Sequence, residues 1–388
     1  MHLLKALLIA TVAQQAISIP LQAEPLRLLS TQFSKASHFS NSKLSTRQHL
    51  GIQERANSFS KCSGFRKRQP ADEEAAEQAA EAAGCWILQD ASNNDVRCAL
   101  VDNNSLGKGA FGSVFKCQLE DGQDIAVKRY EKEDHVRYAD TSWNILKDLS
   151  HENIVKIIAH GRIENLPAQA MEIIPDGDLE PRMSSGQYKG KENEQALKEV
   201  GNQLLNGFAY MHSKKVAHRD LREGNVMFSG NTVKIVDFDW AVKDEQTVER
   251  VIGGEYGLAA PEAIDWTAFD STQQKPVDGY KIDPYGSDVW TLALLLIRLT
   301  TGQGWAHGTP STPGGWERPE EFPNGTNPHM KSVWENDDAD ARVKLLKEKW
   351  PDFTQEFLEL LGDIFCKQAQ RIMMEQFKQD FLDVKIYC

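Results

Sequence analysis

The 388-residue sequence has few of the features that mark several common protein classes. Its six cysteines, at positions 62, 85, 98, 117, 366 and 388, include no C-x-x-C pair and no metal-ligand spacing, so neither a disulfide scaffold nor a zinc site is indicated. Basic residues are fewer than acidic ones, 44 against 56, and the net charge of -12 argues against nucleic-acid binding through a positive field. No apolar run is long enough to span a membrane.

The composition does provide enough apolar residues for a sizeable core. With 40% hydrophobic and 26% charged residues, the chain can form one large domain or two medium ones. A collagen-like chain or a wholly disordered one is excluded. The charge is uneven, because residues 27–68 hold nine basic residues and one acidic residue. The acidic excess therefore lies in the rest of the chain, after a basic leader.

The first 23 residues have the pattern of a secretory signal peptide, since Lys5 is followed by an apolar stretch over residues 6–13 and then by small residues. Residues 24–84 are basic and Ser-rich, then rich in Ala and Glu, which predicts a disordered segment and a linker. We therefore expect the protein to enter the secretory pathway, and to be secreted, lumenal or sent to an organelle. The alternative is a cytoplasmic protein whose N-terminal segment is not a signal.

A glycine-rich segment follows at residues 106–114, where Gly107, Gly109 and Gly112 have G-x-G-x-x-G-x-V spacing. Such spacing alone is weak evidence, because it also marks dinucleotide-binding folds. Here the segment leads into a turn and then into a strand pattern ending at Lys128, which predicts a hairpin. Glycines at a hairpin tip let backbone N–H groups approach phosphates closely, because they carry no Cβ atom.

Three more motifs follow in the second half of the chain. They are H-R-D-L-R-E-G-N at residues 218–225, V-D-F-D at 236–239 and A-P-E at 260–262. The glycine loop and the I-A-V-K motif at residues 125–128 precede them. All five motifs stand in the order and at the distances of the eukaryotic protein kinase family, which the chain resembles over residues 95–385. Each motif alone could occur by chance, but five motifs in this order and at these distances are specific to the family. The resemblance favours the Ser/Thr type over the Tyr type.

The resemblance implies an α+β fold with two lobes. We expect a small antiparallel β-sheet lobe over residues 95–172 and a larger, mainly α-helical lobe over 176–385. The implied function is transfer of the γ-phosphate of ATP, with Mg²⁺, to Ser or Thr hydroxyls of a protein substrate that the sequence does not identify. The alternatives are a pseudokinase that acts as a nucleotide-binding or scaffolding module, and a kinase for a small molecule. No nucleic-acid partner is expected, and oligomeric state stays open.

Phosphoryl transfer depends on positioning and charge neutralisation, and four polar residues suit these roles. Lys128 offers a positive charge for the α and β phosphates. Asp220 would accept or orient the proton of the substrate hydroxyl. Asn225 and Asp237 offer oxygen ligands that suit Mg²⁺.

The remaining pocket residues are implied by the resemblance alone. Val114 and Ala126 would cover the adenine, Met227 would lie beneath it and Met171 would be the gatekeeper. The other expected nucleotide contacts are the loop residues Leu106, Gly107, Lys108, Gly109, Ala110, Phe111 and Gly112, the hinge backbones of Glu172 and Ile174, and Asp178 near the ribose.

Five residues have implied structural or regulatory roles. Asp288 would hold the backbone of the catalytic loop, the H-R-D-L-R-E-G-N segment at residues 218–225, and Arg371 would pair with Glu262. Arg219 marks the class in which a phosphate on the following segment neutralises this arginine. Thr247 is a candidate for that phosphate, although Glu249 or Glu255 could replace it.

Among the departures from the family pattern, two concern the partner of Lys128 and the Asp-Phe-Gly motif. Ser142 stands where a helical Glu normally pairs with the lysine, and Asp140 lies on a different helical face. This departure argues for weak, regulated or absent activity. Asp239 replaces the glycine of Asp-Phe-Gly, and we expect it to serve as a turn residue rather than to add charge near the metal.

Overall fold

The small lobe is built on a single antiparallel sheet that closes on itself. The computed structural model describes residues 84–244, 258, 260–263, 269–270, 275–276, 281–302 and 332–388, all of which belong to one compact unit. The strands of this sheet are β1 (Cys85–Gln89), β2 (Asp95–Lys108), β3 (Gly112–Leu119), β4 (Asp124–Tyr130), β5 (Ile157–Ile163) and β6 (Leu166–Glu172). Their order is β1-β2-β3-β4-β6-β5, and β1 pairs back with β5 through Gln89 and His160. The antiparallel sheet expected from the sequence is therefore a barrel that begins at Cys85.

Alternation of apolar and polar residues explains the core of this barrel. In β4, Ile125 and Val127 point inward and are fully buried, as residues two apart on a strand should be. Trp86 and Leu88 of β1 are also buried in this core, and their burial favours the pairing of β1 with the sheet. Burial of these side chains supplies the main driving force for closing the barrel.

The cysteines divide into two groups in the structure. Cys85 is disulfide-bonded. Within the described ranges, Cys98, Cys117, Cys366 and Cys388 are free thiols. The secretory location of the protein stays a prediction.

One helix, α1 (Val136–Leu146), lies between β4 and β5 in the chain. Its buried residues recur at the three- and four-residue spacing of one helical face, and they include Ala139, Ser142 and Trp143. The side-chain amide of Gln169 on β6 donates a hydrogen bond to the Ala139 carbonyl. This contact fixes the helix against the sheet strand that neighbours Lys128, because Gln169 and Lys128 are paired in register.

The large lobe is mainly helical, with three short strand pairs among its described residues. Its helices are α2 (Leu179–Ser184), α3 (Glu194–Ser213), α4 (Pro284–Thr301), α5 (Ala339–Lys349), α6 (Gln355–Ile364) and α7 (Met374–Asp383). Its strand pairs are β7 (Val216–Ala217) with β10 (Val242–Lys243), β8 (Val226–Ser229) with β9 (Thr232–Ile235), and β11 (Phe269–Asp270) with β12 (Lys275–Pro276). Helix α4 is buried along most of its length, begins at the Asp283 N-cap and ends at Gly302 in a left-handed conformation. In the described part of the chain, no helix is long and apolar enough to cross a bilayer.

Backbone hydrogen bonds connect the two lobes beside the hairpin of β8 and β9. The Ile235 N–H donates to the Asn153 carbonyl at 2.8 Å, and the Val155 N–H donates to the Ile235 carbonyl at 3.0 Å. The segment before β5 is thereby held against the strand that leads into the V-D-F-D motif.

A buried guanidinium holds the A-P-E segment to the helices. Arg371 donates from Nη1 to Glu262 Oε1 at 2.5 Å and from Nη2 to Glu262 Oε2 at 3.2 Å. The same side chain, 1% exposed, also donates to the carbonyls of Gly286, Ile364 and Cys366. An arginine fork suits this set of acceptors better than the point charge of a lysine.

Replacing Arg371 with methionine should lower the free energy of unfolding by about 3–5 kcal/mol, because the Glu262 carboxylate then stays buried without its guanidinium. Urea unfolding followed by tryptophan fluorescence measures this loss. The control is Lys367→Met, since the Lys367 pair with Asp337 is exposed and its loss should cost less than ~0.5 kcal/mol. Equal losses in the two variants would contradict the importance of the buried pair.

Candidate active site

The glycine loop forms the tip between β2 and β3. The Gly109 N–H donates to the Gly112 carbonyl at 2.8 Å and closes a tight turn. A Cβ atom at Gly112 would lie 2.3 Å from the Arg129 carbonyl oxygen, whereas one at Gly107 would meet nothing within 4 Å. Gly112 is therefore required by the close approach of β3 to β4, while Gly107 leaves open space in which a phosphate could approach the backbone.

Phe111, at the tip of the loop, packs into an aromatic cluster. Its ring lies 4.4 Å from Tyr138 of α1, 5.9 Å from Trp240 and 5.4 Å from the His135 ring, centroid to centroid. The loop tip is thus connected to helix α1 and to the segment after Asp239. The neighbouring loop residues Leu106, Lys108 and Ala110 are exposed.

Lys128 points from β4 toward two carboxylates of the large lobe. Its Nζ donates to Asp237 Oδ1 at 2.9 Å and to Asp239 Oδ2 at 2.7 Å. Burial alone lowers the pKa of Lys128, but the two carboxylates outweigh burial and hold this pKa well above its usual value. The lysine is therefore charged, and it has two acidic partners in the cleft between the two lobes.

The turn expected at Asp239 is present, because the Ala241 N–H donates to the Phe238 carbonyl at 3.1 Å. The turn also brings the Asp239 carboxylate to the lysine. This carboxylate is 1% exposed, binds Lys128 and also accepts a 2.8 Å hydrogen bond from the Tyr130 hydroxyl. Burial raises the pKa of Asp239, and Lys128 opposes that rise. Sequence reasoning missed Tyr130, although its position two residues after Lys128 puts it on the same strand face.

Neither acidic nor polar groups of helix α1 take the place of the missing glutamate. Ser142 is buried, but it carries no charge, and Asp140 is exposed on the outer side of the helix. The counter-charge for Lys128 therefore comes from the V-D-F-D segment.

The catalytic loop is fixed by a buried carboxylate of helix α4. Asp288 accepts hydrogen bonds from the backbone N–H groups of His218 and Arg219, each at 2.8 Å. Its Oδ2 also lies 3.1 Å from Nε2 of His212. Arg219 has a left-handed backbone, with φ of 66°. A non-glycine residue adopts this conformation at a cost in free energy, which the hydrogen bonds around it offset.

Asp220 and Asn225 lie in contact within this loop. The Asn225 side-chain amide donates to the Asp220 carbonyl at 2.6 Å and to Asp220 Oδ2 at 2.9 Å. Burial, with the negative charge of Asp237, raises the pKa of Asp220 to about 7. A carboxylate with such a pKa exchanges protons readily near neutral pH.

Asp237 also has a left-handed backbone, with φ of 65°. Burial alone would raise the pKa of Asp237, but Lys128 outweighs burial and holds this pKa below its usual value. The following Phe238 is fully buried and packs edge-on against the His218 ring, with 4.9 Å between centroids. The His218 ring nitrogen Nε2 in turn lies 3.0 Å from the Val236 carbonyl, so the two motifs are joined.

The expected adenine residues come from both sides of the cleft. Ala126 and Met171 are directly paired across β4 and β6, and Val114 is paired with Lys128 across β3 and β4. Met227 of β8 is bridged to the backbone of Asp178, which brings the large-lobe residues together. Ala126 is buried, and the side chains of Val114, Met171, Met227 and Asp178 are half-buried.

Three further expected pocket residues lie in the connection between the lobes. The Glu172 carboxylate binds Lys234 at 2.8 Å, so this side chain fixes the connection rather than facing the cleft. Ile174 is half-buried and packs against the large-lobe core. The Asp178 carboxylate caps helix α2 by accepting from the Glu180 N–H at 3.0 Å, which sets its position beside the cleft.

The donor set in the cleft fits a hard divalent cation. Asn225 and Asp237 offer amide and carboxylate oxygens, which Mg²⁺ prefers. Within the described ranges, no group of three or more His, Cys, Asp or Glu residues could hold a metal by itself. Mg²⁺ usually takes one or two protein ligands together with phosphate oxygens.

Some expected regulatory residues, namely Thr247, Glu249 and Glu255, lie outside the described residues. Arg219 donates to the Trp240 carbonyl at 3.3 Å, at the start of the segment that holds those residues. The hypothesis that an acidic residue replaces a phosphate there stays a prediction.

A model of the protein kinase domain matches residues 100–382 of the chain. The chain belongs to the protein kinase family. Its relatives include serine/threonine-protein kinase 10 of Danio rerio, 30% identical over 201 residues, which are 50% of this chain and 19% of that protein. Mitogen-activated protein kinase kinase kinase 2 of Arabidopsis thaliana is 25% identical over 293 residues, 72% of this chain and 42% of that protein.

A probable serine/threonine-protein kinase of Dictyostelium discoideum is 28% identical over 221 residues, 54% of this chain and 32% of that protein. These comparisons confirm the resemblance to Ser/Thr-type kinases. The chain spans only about a fifth to two fifths of the length of these relatives.

Replacing Gly112 with alanine should lower the stability of the ligand-free kinase by about 1–3 kcal/mol, because the new Cβ forces β3 away from β4. Thermal unfolding without nucleotide measures this effect. Gly107→Ala is the matched control, since its Cβ meets nothing, and its melting temperature should stay close to that of the wild type. Equal melting temperatures for the two variants would show that the loop tolerates a Cβ at both positions.

Replacing Asp288 with alanine should release the catalytic loop, because two buried N–H groups each lose an acceptor at a cost of about 1–3 kcal/mol. Hydrogen exchange of the peptide that contains His218 and Arg219 should become faster. The exposed Asp148, which pairs with Lys243, provides the control Asp148→Ala. Unchanged exchange in the Asp288 variant would contradict the role of this carboxylate in holding the loop.

Proposed function

We propose that this kinase transfers the γ-phosphate of ATP to Ser or Thr hydroxyls of protein substrates. The observation that carries the proposal is the convergence of Lys128, Asp220, Asn225 and Asp237 on one cleft between the lobes. Lys128 lies 109 residues before Asp237, yet a hydrogen bond joins the two, and another joins Asp220 to Asn225. Convergent polar groups with shifted pKa values are typical of catalytic sites.

Asp220 is the residue that we assign to the substrate hydroxyl. Its carboxylate can accept a hydrogen bond from the hydroxyl and take up the proton during phosphate transfer. The Asn225 amide fixes one of its carboxylate oxygens, so the other can face the substrate. The rigid attachment of this loop to Asp288 limits the motion of Asp220.

Lys128 and the metal ligands are assigned to the nucleotide. The ammonium group of Lys128 would bind the α and β phosphates, and the open space at Gly107 would let the loop backbone approach them. Mg²⁺, held by Asn225 and Asp237, would supply positive charge that neutralises the phosphates. Asp237 suits this role because its side chain is 26% exposed, more than that of Asp239.

The experiment that tests this proposal is phosphate transfer by the full chain from labelled ATP with Mg²⁺. Generic protein substrates that offer Ser, Thr and Tyr are supplied together, and phosphoamino-acid analysis identifies the modified hydroxyl. We expect phosphoserine or phosphothreonine, and a loss of at least about a hundredfold in the Asp220→Asn variant, because the proton acceptor is removed.

ATP binding, measured by calorimetry on both proteins, is the control for folding. Binding without transfer in the wild type would overturn the catalytic proposal and favour a nucleotide-binding module. Phosphotyrosine as the main product would overturn the assignment of Ser and Thr.

A further inference from the structure

Two departures from the family pattern meet at Lys128. Helix α1 lacks the carboxylate expected at Ser142, and the V-D-F-D motif has an additional carboxylate at Asp239. Taken separately, the first predicts a weakened site and the second a turn residue. In the structure the additional carboxylate is bound to the lysine that lacks its usual partner.

The geometry around Lys128 makes Asp239 its better-held partner. The Asp239 carboxylate is 1% exposed, whereas that of Asp237 is 26% exposed. Tyr130 holds the second oxygen of Asp239 at 2.8 Å, so the carboxylate is fixed from two sides. The Lys128 ammonium also lies 5.0 Å from the centre of the Tyr130 ring, a distance at which a cation is attracted to an aromatic face.

Ser142 is on the buried face of helix α1, which packs against β6, the strand paired with that of Lys128. It is three residues after Ala139, so both lie on one face of the helix. The Ala139 carbonyl is bound by Gln169, which is paired with Lys128 across β4 and β6. Ser142 is also buried, whereas Asp140 is exposed.

We propose that Asp239 is the positioning residue for Lys128 and supplies, from the segment after Asp237, the negative charge that helix α1 lacks. This inference rests on the proposed function, because it assigns Lys128 to the nucleotide. The two carboxylates then have different roles. Asp237 is exposed enough to turn toward a metal, and Asp239 keeps the lysine in place when it does. The lysine is oriented independently of any ion pair with helix α1.

The first test removes the charge and keeps the shape. Asp239→Asn can still accept a hydrogen bond from Tyr130 and can still occupy the turn. We expect ATP affinity measured in EDTA by calorimetry to fall about tenfold or more, and kcat to fall as well, because Lys128 is no longer held in line with the phosphates. Asp140→Asn removes an exposed carboxylate from helix α1 and should leave both quantities unchanged.

The second test moves the charge to the helix. Asp239→Gly should lose ATP affinity as Asp239→Asn does, and the double variant Ser142→Glu/Asp239→Gly should regain most of it. A purely structural role of Asp239 in its turn would not be restored by a carboxylate on another element. Ser142→Glu alone should lower the melting temperature, because a third carboxylate is then buried beside one lysine.

The two readouts separate this inference from the proposed function. If the wild type binds ATP but transfers no phosphate, the catalytic proposal fails, and the binding measurements still decide the role of Asp239. Wild-type affinity in Asp239→Asn overturns the inference. So does a double variant that folds, as judged by its melting curve, yet binds ATP no better than Asp239→Gly.

Discussion

The arrangement of the cleft depends on one buried ammonium group and the two carboxylates that surround it. Lys128 belongs to the small lobe, while Asp237 and Asp239 belong to the large lobe, so their ion pairs join the lobes at the site itself. Burying these charges is costly, and the cost is offset only because every group finds a close partner. Tyr130 completes the set by binding the oxygen of Asp239 that faces away from the lysine. The same contacts that orient the lysine therefore also fix the distance between the lobes.

Further contacts hold the remaining groups in line with this cluster. Asp288 binds the backbone of the catalytic loop, and Phe238 packs against His218. Backbone bonds of Ile235 attach the same region to the segment before β5. The proposed catalytic groups thus rest on buried, hydrogen-bonded elements, which is what accurate positioning requires.

Most of the fold class and much of the site could be predicted from the sequence, because the motifs have fixed residue types at fixed spacing. The glycine hairpin, the catalytic loop and the expected partners Glu262 and Arg371 are examples. The closure of the barrel was not predicted, since the pairing of Gln89 with His160 joins strands that are far apart in the chain and carry no turn signal between them. The bond at Cys85 also depends on which residues come close in space.

Residue types and their spacing were enough to indicate a two-lobed kinase with a lysine, two metal-binding candidates and a proton acceptor in family order. They were also enough to identify Ser142 and Asp239 as departures, because both are visible as changes of residue type. That these departures concern the same lysine became evident only in the folded chain. Residues 128, 142 and 239 are separated in sequence, and a charge acts through distance in space, which the folded backbone alone sets.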